Sequence, residues 1–284
     1  MSAFVQGGFD RWEMRVSEAA ADPRLLALES NFFSQWSQFG RPDGFALIER
    51  EGLTAFETPI ASLPYNGVFR SRLSEDADAA IDAIIAHFDR RGAPFFWAGH
   101  PTATPRDLGA RLKARGFEHA ETAAGMVARP DDLPPVPAPR AGLDIRAVTA
   151  EDRDLVLEFV ATRWSVPTDA IRHLGALFRS ARMGHPDGTM RGWIASLNGY
   201  PVAKAFTHAS PGVVGLYGVA TKPEARGLGV ARALCAVALR ESLRPDTEHL
   251  VLHASAMAES LYARMGFERV APFEVYVRGA AFHI

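Results

Sequence analysis

A proline-rich segment near the middle of the chain is the feature that most limits how this protein can fold. Residues 130–139 read Pro-Asp-Asp-Leu-Pro-Pro-Val-Pro-Ala-Pro. Proline has no backbone donor and cannot occupy a helix interior or a central strand. We therefore predict an extended linker over residues 130–140. It divides the 284-residue chain into a first half, 1–129, and a second half, 141–284, each of ordinary domain size.

The composition is that of a folded globular protein. Apolar residues make up 48% and charged residues 23%, which excludes a disordered or fibrous chain. No apolar run approaches the roughly 20 residues of a membrane helix, and no signal peptide is visible, so we predict a cytoplasmic protein. The net charge of -2 argues against nucleic acid as the main partner. The single cysteine, Cys235, and the scattered histidines indicate no metal site.

The two halves contain a weak internal repeat. Leu112-Lys-Ala-Arg-Gly-Phe-Glu118 and Tyr262-Ala-Arg-Met-Gly-Phe-Glu268 both end a helix-periodic stretch on Gly and restart on Phe. The order of the upstream patterns also matches. The first half predicts strands at 45–49, 54–58, 67–73 and 94–98, with helices at 76–90 and from 105; the second half predicts strands at 191–197, 202–208, 213–221 and 248–253, with helices at 229–243 and 257–265. We therefore predict an α/β (α+β) protein made of two mixed-sheet domains flanked by helices.

The most informative stretch is a glycine-rich turn between a strand and a helix. The strand ends at Thr221, and Pro223, Gly227 and Gly229 precede a helix that begins near Val230. The start of a helix presents unpaired N–H groups and partial positive charge, and glycine lets an anion approach them. A diphosphate fits such a turn, and Arg226 and Arg232 add charge for it. The Walker and dinucleotide-binding patterns are both absent, since Gly229 is not followed by Lys-Ser/Thr and Arg232 replaces the third glycine.

Two motifs resemble the GNAT superfamily of acyl-CoA-dependent N-acyltransferases. Arg226-Gly-Leu-Gly-Val-Ala231 resembles its Q/R-x-x-G-x-G/A signature, and Met257–Phe267 resembles its A-x-x-L-Y-x-x-x-G-F helix. The resemblance covers roughly 143–278. It implies a sheet whose fourth and fifth strands part, with acetyl-CoA or another acyl-CoA in the gap as co-substrate and an amine as acceptor.

The resemblance also implies roles for individual residues. Backbone groups of Val219, Ala220 and Thr221 would hold the acyl group and the pantetheine arm. Ser255 stands where the family commonly has the Asn that touches this arm, and Tyr262 occupies the position of the general acid that protonates the CoA thiolate. The pyrophosphate would be held at Arg226, Gly227, Leu228, Gly229, Val230, Ala231 and Arg232.

Several side chains carry two interpretations. Tyr262 is either the acid or a packed helix tyrosine. The base is not evident, because the strand 213–221 has no carboxylate; the nearby titratable groups are Glu248, His208, Tyr217 and His253, and water or an already neutral substrate would serve equally. Trp164, Trp193 and Phe178 either line an acceptor pocket or belong to the core. Cys235 is expected to be a buried, inert thiol.

The first half lacks the chemistry of the second. Ser74 is expected to cap a helix whose first turn carries Glu75, Asp76 and Asp78, which would repel a phosphate, and Leu112 stands where Tyr262 stands. We interpret it as a degenerate copy that shapes the acceptor site, packs as a pseudo-dimer partner or binds something else.

The sequence thus favours an N-acyltransferase that works by direct attack of a primary amine in a ternary complex. A non-catalytic acyl-CoA-binding regulatory protein is the main alternative, and a purely structural protein a third. Small amines, aminoglycosides, amino acids and protein N-termini all stay open as acceptors, as does the oligomeric state.

Overall fold

The computed structural model describes residues 22–74, 76–138, 140–164, 166–185 and 188–280. The helices in these ranges are α1 Pro23–Ser37, α2 Ala77–Arg91, α3 Leu108–Ala114, α4 Arg153–Trp164, α5 Ile171–Ser180, α6 Val230–Ser242 and α7 Glu259–Ala263. The strands are β1 Ala46–Arg50, β2 Leu53–Glu57, β3 Gly67–Ser71, β4 Phe95–Gly99, β5 Glu118–Ala128, β6 Leu143–Ala147, β7 Met190–Leu197, β8 Tyr200–Ser210, β9 Val213–Thr221, β10 His249–Ala254 and β11 Glu268–Arg278. None of the described helices is long and apolar enough to cross a membrane.

The strands of both halves form one mixed sheet of 11 strands. Its order is β1-β2-β3-β4-β11-β5-β10-β9-β8-β7-β6. Two parallel pairs, β3 with β4 and β9 with β10, occupy equivalent places in the two halves, and the remaining neighbours are antiparallel. The mixed α/β architecture predicted from the sequence is confirmed. The sequence pattern did not show that the two sheets are continuous.

The halves are joined by an exchange of their last strands. β5, from the first half, lies between β10 and β11 of the second half; β11 in turn lies between β4 and β5 of the first. Residues 124–128 of β5 pair with 254–250 of β10, and the other edge of β5 pairs with β11 along nearly its whole length. Each half therefore completes the other's hydrogen-bonded sheet, because neither β10 nor β4 pairs with the last strand of its own half.

The sheet separates two apolar layers. Along β10, Leu250, Leu252 and Ala254 belong to a cluster that includes the buried face of α6, whereas Val251 belongs to a cluster with α1. This alternation is the period-two pattern of a strand buried on both faces. α1 thus covers the middle of the sheet on one face, where it contacts strands of both halves, and α6 covers the second half on the other face.

α1 docks onto the second half through a buried asparagine. Asn31 donates to the carbonyl of His208 (3.2 Å) and to Ser210 Oγ (2.8 Å), and it accepts from the hydroxyl of Tyr217 (2.7 Å). A Cβ at Gly215 would collide with Asn31 Oδ1, so glycine at this position lets the helix approach the strand. These contacts fix a helix of the first half against β8 and β9.

The proline-rich segment is attached to the second half. It begins with a single 3₁₀ turn, Pro130–Asp132, and contains no helix or strand between residues 133 and 138. Leu133 is buried in the α6 cluster, and Arg240 on α6 donates to the carbonyls of Leu133 and Pro134. Its start is therefore packed, whereas Val136 is 42% exposed.

Cleavage in this segment should leave the protein in one piece. If a protease site is inserted after Val136 and cut, we expect the two fragments to co-elute on gel filtration, because β5 and β11 still pair across the break. Residues 141–284 expressed alone should aggregate, since β10 and β11 would expose unpaired edges. Separation of the cut fragments in native buffer would contradict the exchange.

Candidate active site

The parallel strands β9 and β10 separate toward their carboxyl ends. Their pairing runs from His249–Val213 to Leu252–Leu216 and stops there, although β9 continues for five residues, 217–221. β10 still pairs with β5 to its end at Ala254. The edge of β9 that faces β10 therefore has no strand partner beyond Leu216, and the sheet has an opening at this point.

A bulge lies on β9 at the start of this opening. Between the pairs Lys204–Ala220 and Phe206–Tyr217, β9 has one residue more than β8. Gly218 in the bulge has a φ of +55°, a conformation that glycine adopts without strain. The buried Lys204 donates from Nζ to the carbonyl of Gly218 (2.6 Å). This bond fixes the direction of the peptide that leads into Val219 and Ala220.

The turn after β9 presents a row of unpaired backbone amides. Arg226 N donates to the carbonyl of Pro223, and the next amide with a backbone acceptor is Ala233 N, which donates to Gly229 O. The six amides between them, those of residues 227–232, have no hydrogen-bond acceptor among the described residues. Amides at a helix start combine with the helix dipole into an anion site. The exposed side chains of Arg226 and Arg232 add positive charge there.

Glycine is favoured at two positions of this turn because of the backbone conformation, not because a side chain would collide with a neighbour. Gly227 and Gly229 have φ values of +73° and +79°, and Gly229 is the N-cap of α6. A Cβ built at either position meets nothing within 4 Å. A side chain at Gly229 would thus project into the open space in front of the amides, where an anion would bind.

A cavity of about 360 Å³ extends from the opening to the face covered by α1. Near the turn it is lined by the predicted residues Val219, Ala220, Ser255 and Tyr262. Leu228 packs on the same apolar cluster as Tyr262. Thr221 pairs with Ala203 and accepts from Arg226 Nε, so it borders the turn but does not line the cavity. The structure therefore brings most of the predicted cofactor-binding residues around one opening.

Tyr262 lies on α7 with only 6% of its surface exposed. Burial raises the pKa of its hydroxyl well above 10, and Cys235 nearby contributes in the same direction. The hydroxyl therefore stays protonated at neutral pH and is able to donate. Cys235 itself is fully buried, and burial raises its pKa to about 12, which makes it an unreactive thiol as expected.

The four candidate bases lie in different environments. Glu248 is exposed in the turn before β10, at the end of the strand away from the opening. His208 contacts Ser34 Oγ (2.9 Å), and burial lowers its pKa to about 4. Tyr217 is bonded to Asn31, and burial raises its pKa. His253 lines the cavity, and burial lowers its pKa to about 3, so its ring is neutral.

The three aromatic residues predicted for the acceptor pocket do not all line the cavity. Phe178 on α5 lines the cavity. Trp193 is fully buried on β7, where it donates to Thr207 Oγ1 (3.2 Å) and lies under Arg191, so it belongs to the core. The side chain of Trp164 lies outside the described residues.

The first half contributes cavity residues that the sequence pattern missed. The main ones are Gln35 and Trp36 on α1, Phe96 on β4, and Glu121 on β5. The sequence points to the fourth and fifth strands of the second half for a carboxylate, but Glu121 comes from β5, the strand that the first half contributes. The sequence separation between Glu121 and the glycine turn does not predict that they are close. They are brought together only because β5 pairs with β10 of the other half.

In the first half the corresponding opening is closed. Beyond the paired residues of β3 and β4, Ser71 N donates to His100 Nε2 (3.1 Å), and Thr104 N donates to Ser71 O. His100 Nδ1 also contacts the buried Glu29 (2.9 Å). Although burial raises the pKa of Glu29, hydrogen bonds from His100 and Thr102 outweigh it and keep that pKa below its usual value.

The helix after β3 also differs from α6. Its N-cap is Asp76, which makes no side-chain capping bond; Ser74, expected as the cap, lies two residues earlier. Asp78 pairs with Arg111 and Arg115, and Leu112 is fully buried. Glu75 lies outside the described residues. Carboxylates thus stand where the second half has its glycine turn.

The described residues contain no group of three or more side chains suited to hold a metal ion. His249 and His253 are four residues apart, but on a strand that spacing separates them by about 13 Å.

Comparison with known proteins finds one family that matches part of the chain. Residues 179–283 match the model of the acetyltransferase (GNAT) domain. The match lies wholly within the second half of the chain. No curated protein was found to be similar in sequence to this chain.

Solved structures share the fold over both halves. A GCN5-related N-acetyltransferase from Kribbella flavida is 18% identical with a TM-score of 0.67, over 90% of this chain and 96% of that one. A GCN5-related N-acetyltransferase from Sphaerobacter thermophilus is 16% identical with a TM-score of 0.58, over 80% and 76%. A tandem GNAT protein from the clavulanic acid biosynthesis pathway is 14% identical with a TM-score of 0.58, over 93% and 90%. At these identities the likeness concerns the fold.

The glycine turn can be tested with two matched substitutions. Gly229→Glu should abolish acyl-CoA binding in calorimetry, because it places bulk and negative charge in front of the amides. Gly199→Glu is the control: Gly199, in the turn between β7 and β8, has a similar φ of +83° and similarly open surroundings. It should keep wild-type affinity while carrying the same backbone strain. Equal affinities of the two variants would disprove the assigned turn.

The closed opening of the first half sets an expected stoichiometry. A diphosphate there would meet Asp76 and Asp78 and find the strand ends already bonded to residues 100–104. Calorimetric titration should therefore saturate at one CoA per chain. Two equivalents of similar affinity would show that the first half also binds the cofactor.

Proposed function

We propose that this protein is an acyl-CoA-dependent N-acyltransferase, with acetyl-CoA as the expected donor and a primary amine as the acceptor. The observation that carries the proposal is the row of six unpaired amides, 227–232, placed beside the opening between β9 and β10. A diphosphate bound on these amides leaves the pantetheine arm to pass through the opening. The thioester then reaches the cavity on the face of α1.

In this proposal the two halves have unequal roles. Residues 141–284 form the acyltransferase domain and residues 1–129 a degenerate GNAT-like copy, with the segment 130–140 between them. Arg226 and Arg232 add charge for the diphosphate. Ser255, which follows β10 and lines the cavity, contacts the pantetheine arm in this proposal.

The reaction is a direct transfer in a ternary complex. The neutral amine attacks the thioester carbonyl carbon, an amide C–N bond forms, and the C–S bond breaks as the thiolate departs. A backbone N–H at Val219, just past the bulge, polarises the carbonyl oxygen in the same way as an oxyanion hole. Tyr262 then donates its hydroxyl proton to the thiolate and regains one from solvent.

The proposed function is tested by thioester turnover. The purified chain is incubated with acetyl-CoA and a broad panel of amines, and free CoA thiol is measured together with the acylated product by mass spectrometry. Amine-dependent release of CoA with stoichiometric amide is the expected result. Tight CoA binding without turnover of any amine would instead identify a non-catalytic acyl-CoA-binding protein.

Replacing Tyr262 by Phe tests the proposed acid. The substitution removes one hydroxyl and keeps the ring, so kcat should fall roughly 10²-fold with little change in CoA affinity. Tyr276→Phe is the matched control, because Tyr276 is a buried tyrosine on β11 that does not line the cavity. A normal kcat in Tyr262→Phe, with chemistry shown to limit turnover, would reduce this residue to a packing role.

A further inference from the structure

Resting on the proposed function, we infer that the acceptor is a small primary amine on an aromatic body that also carries a polar group. We further infer that its amine faces Glu121, which the first half supplies to the active site of the second. The inference rests on the chemistry of the cavity wall on the α1 side of the sheet.

The walls of this part of the cavity are mainly aromatic. They come from α1 and the 3₁₀ turn after it, from the loop before β3, from strands of both halves and from α5. The aromatic members are Phe32, Trp36, Phe39, Tyr65, Phe96, Phe178, Phe206, Tyr217 and Phe273. A flat apolar guest gains both buried area and ring contacts in such surroundings. With about 360 Å³ to share with the end of the pantetheine arm, the guest must be small.

Three wall residues hold buried polar atoms that have no partner. These atoms are Gln35 Oε1, Trp36 Nε1 and both ring nitrogens of His253, none of which bonds to any described residue. Buried polar atoms in folded proteins are nearly always hydrogen-bonded, so orphans on residues that line the cavity favour a guest with polar groups of its own. Trp36 offers a donor and Gln35 an acceptor. A hydroxyl on the guest can accept from the first and donate to the second, whereas an indole N–H can only donate to Gln35.

Glu121 is the cavity carboxylate that is left free for the amine. It forms no hydrogen bond or ion pair with any described residue, whereas Glu274, the other carboxylate on the wall, contacts His119 and Thr122. In the register of β5 against β10, Glu121 lies three residues beyond the pair Ala124–Ala254, on the side of the opening. Burial raises the pKa of Glu121, which makes it a stronger proton acceptor than an exposed carboxylate.

This chemistry excludes strongly polar acceptors. An aminoglycoside or a polyamine brings several ammonium groups, and each would need a carboxylate or water once buried. The wall offers two carboxylates, of which one is already occupied. The wall can therefore accommodate a single ammonium group, beside Glu121. Glu121 attracts the ammonium, takes its proton, and leaves the neutral nitrogen for attack on the thioester; the proton passes from Glu121 to solvent.

An acceptor panel tests the substrate class on the full chain with saturating acetyl-CoA. The panel is phenethylamine, tyramine, tryptamine, spermidine, kanamycin and an alanine-initiated tripeptide. We expect kcat/KM for tyramine or tryptamine to exceed that for the three polar amines by at least roughly 10²-fold, with phenethylamine between them. A preference for spermidine, kanamycin or the peptide would overturn the inference and leave the acyltransferase function intact. Binding of CoA without release for any amine would instead contradict the function itself.

The substitution Glu121→Gln tests whether Glu121 accepts the proton of the acceptor amine. For the best aromatic amine we expect kcat/KM to fall at least roughly 10²-fold with unchanged CoA affinity. The wild-type kcat/KM should decrease as pH falls through the raised pKa of Glu121, and the variant should lack this limb. Glu118→Gln on the same strand is the control, since Glu118 is exposed and outside the cavity. Wild-type kinetics in Glu121→Gln would disprove its role, and CoA titration of each variant verifies that it is folded.

Discussion

The pairing of β5 between β10 and β11 is the interaction on which the rest of the structure depends. It joins the two halves into one sheet and keeps β10 in register where β9 has already turned away. Without a partner on that side, β10 would be a strand held on one edge and only as far as Leu252. The opening is stable because the strand that borders it is fully hydrogen-bonded on its other side.

The equivalent parallel pairs, β3–β4 and β9–β10, end differently in the two halves: the first is closed by hydrogen bonds and the second is open. In the second half, a bulge and a glycine turn leave strand ends and amides unpaired. In the first half, His100 and Thr104 bond to the strand end at Ser71, and a buried carboxylate, Glu29, supports them. The unpaired amides of the second half lie at a largely exposed helix start, where water or an anion can satisfy them.

Local features of the fold could be read from the sequence, whereas contacts between the halves could not. The strand 213–221 and the helix that follows Gly229 lie where periodicity and turn residues predicted them. These signals depend only on residues that are close in the sequence. The unpaired amides of a glycine-rich helix start can be predicted for the same reason. The position of Glu121 depends on which strand pairs with which, and period-two patterns are the same for every possible neighbour. For the same reason, the sequence does not connect Gln35 and Trp36 of α1 with the site.

The exchanged strands also bear on how such a molecule can change over evolutionary time. After a duplication, a copy that has lost its own ligand site is ordinarily free to decay or be deleted. Here the first half cannot be removed, because its strand β5 lies inside the sheet of the second half. In the same way, β11 of the second half lies inside the sheet of the first. The first half is therefore part of the architecture of the second. In the proposed function, its cavity-facing residues can change without altering the glycine turn, because the two lie in different halves of the chain.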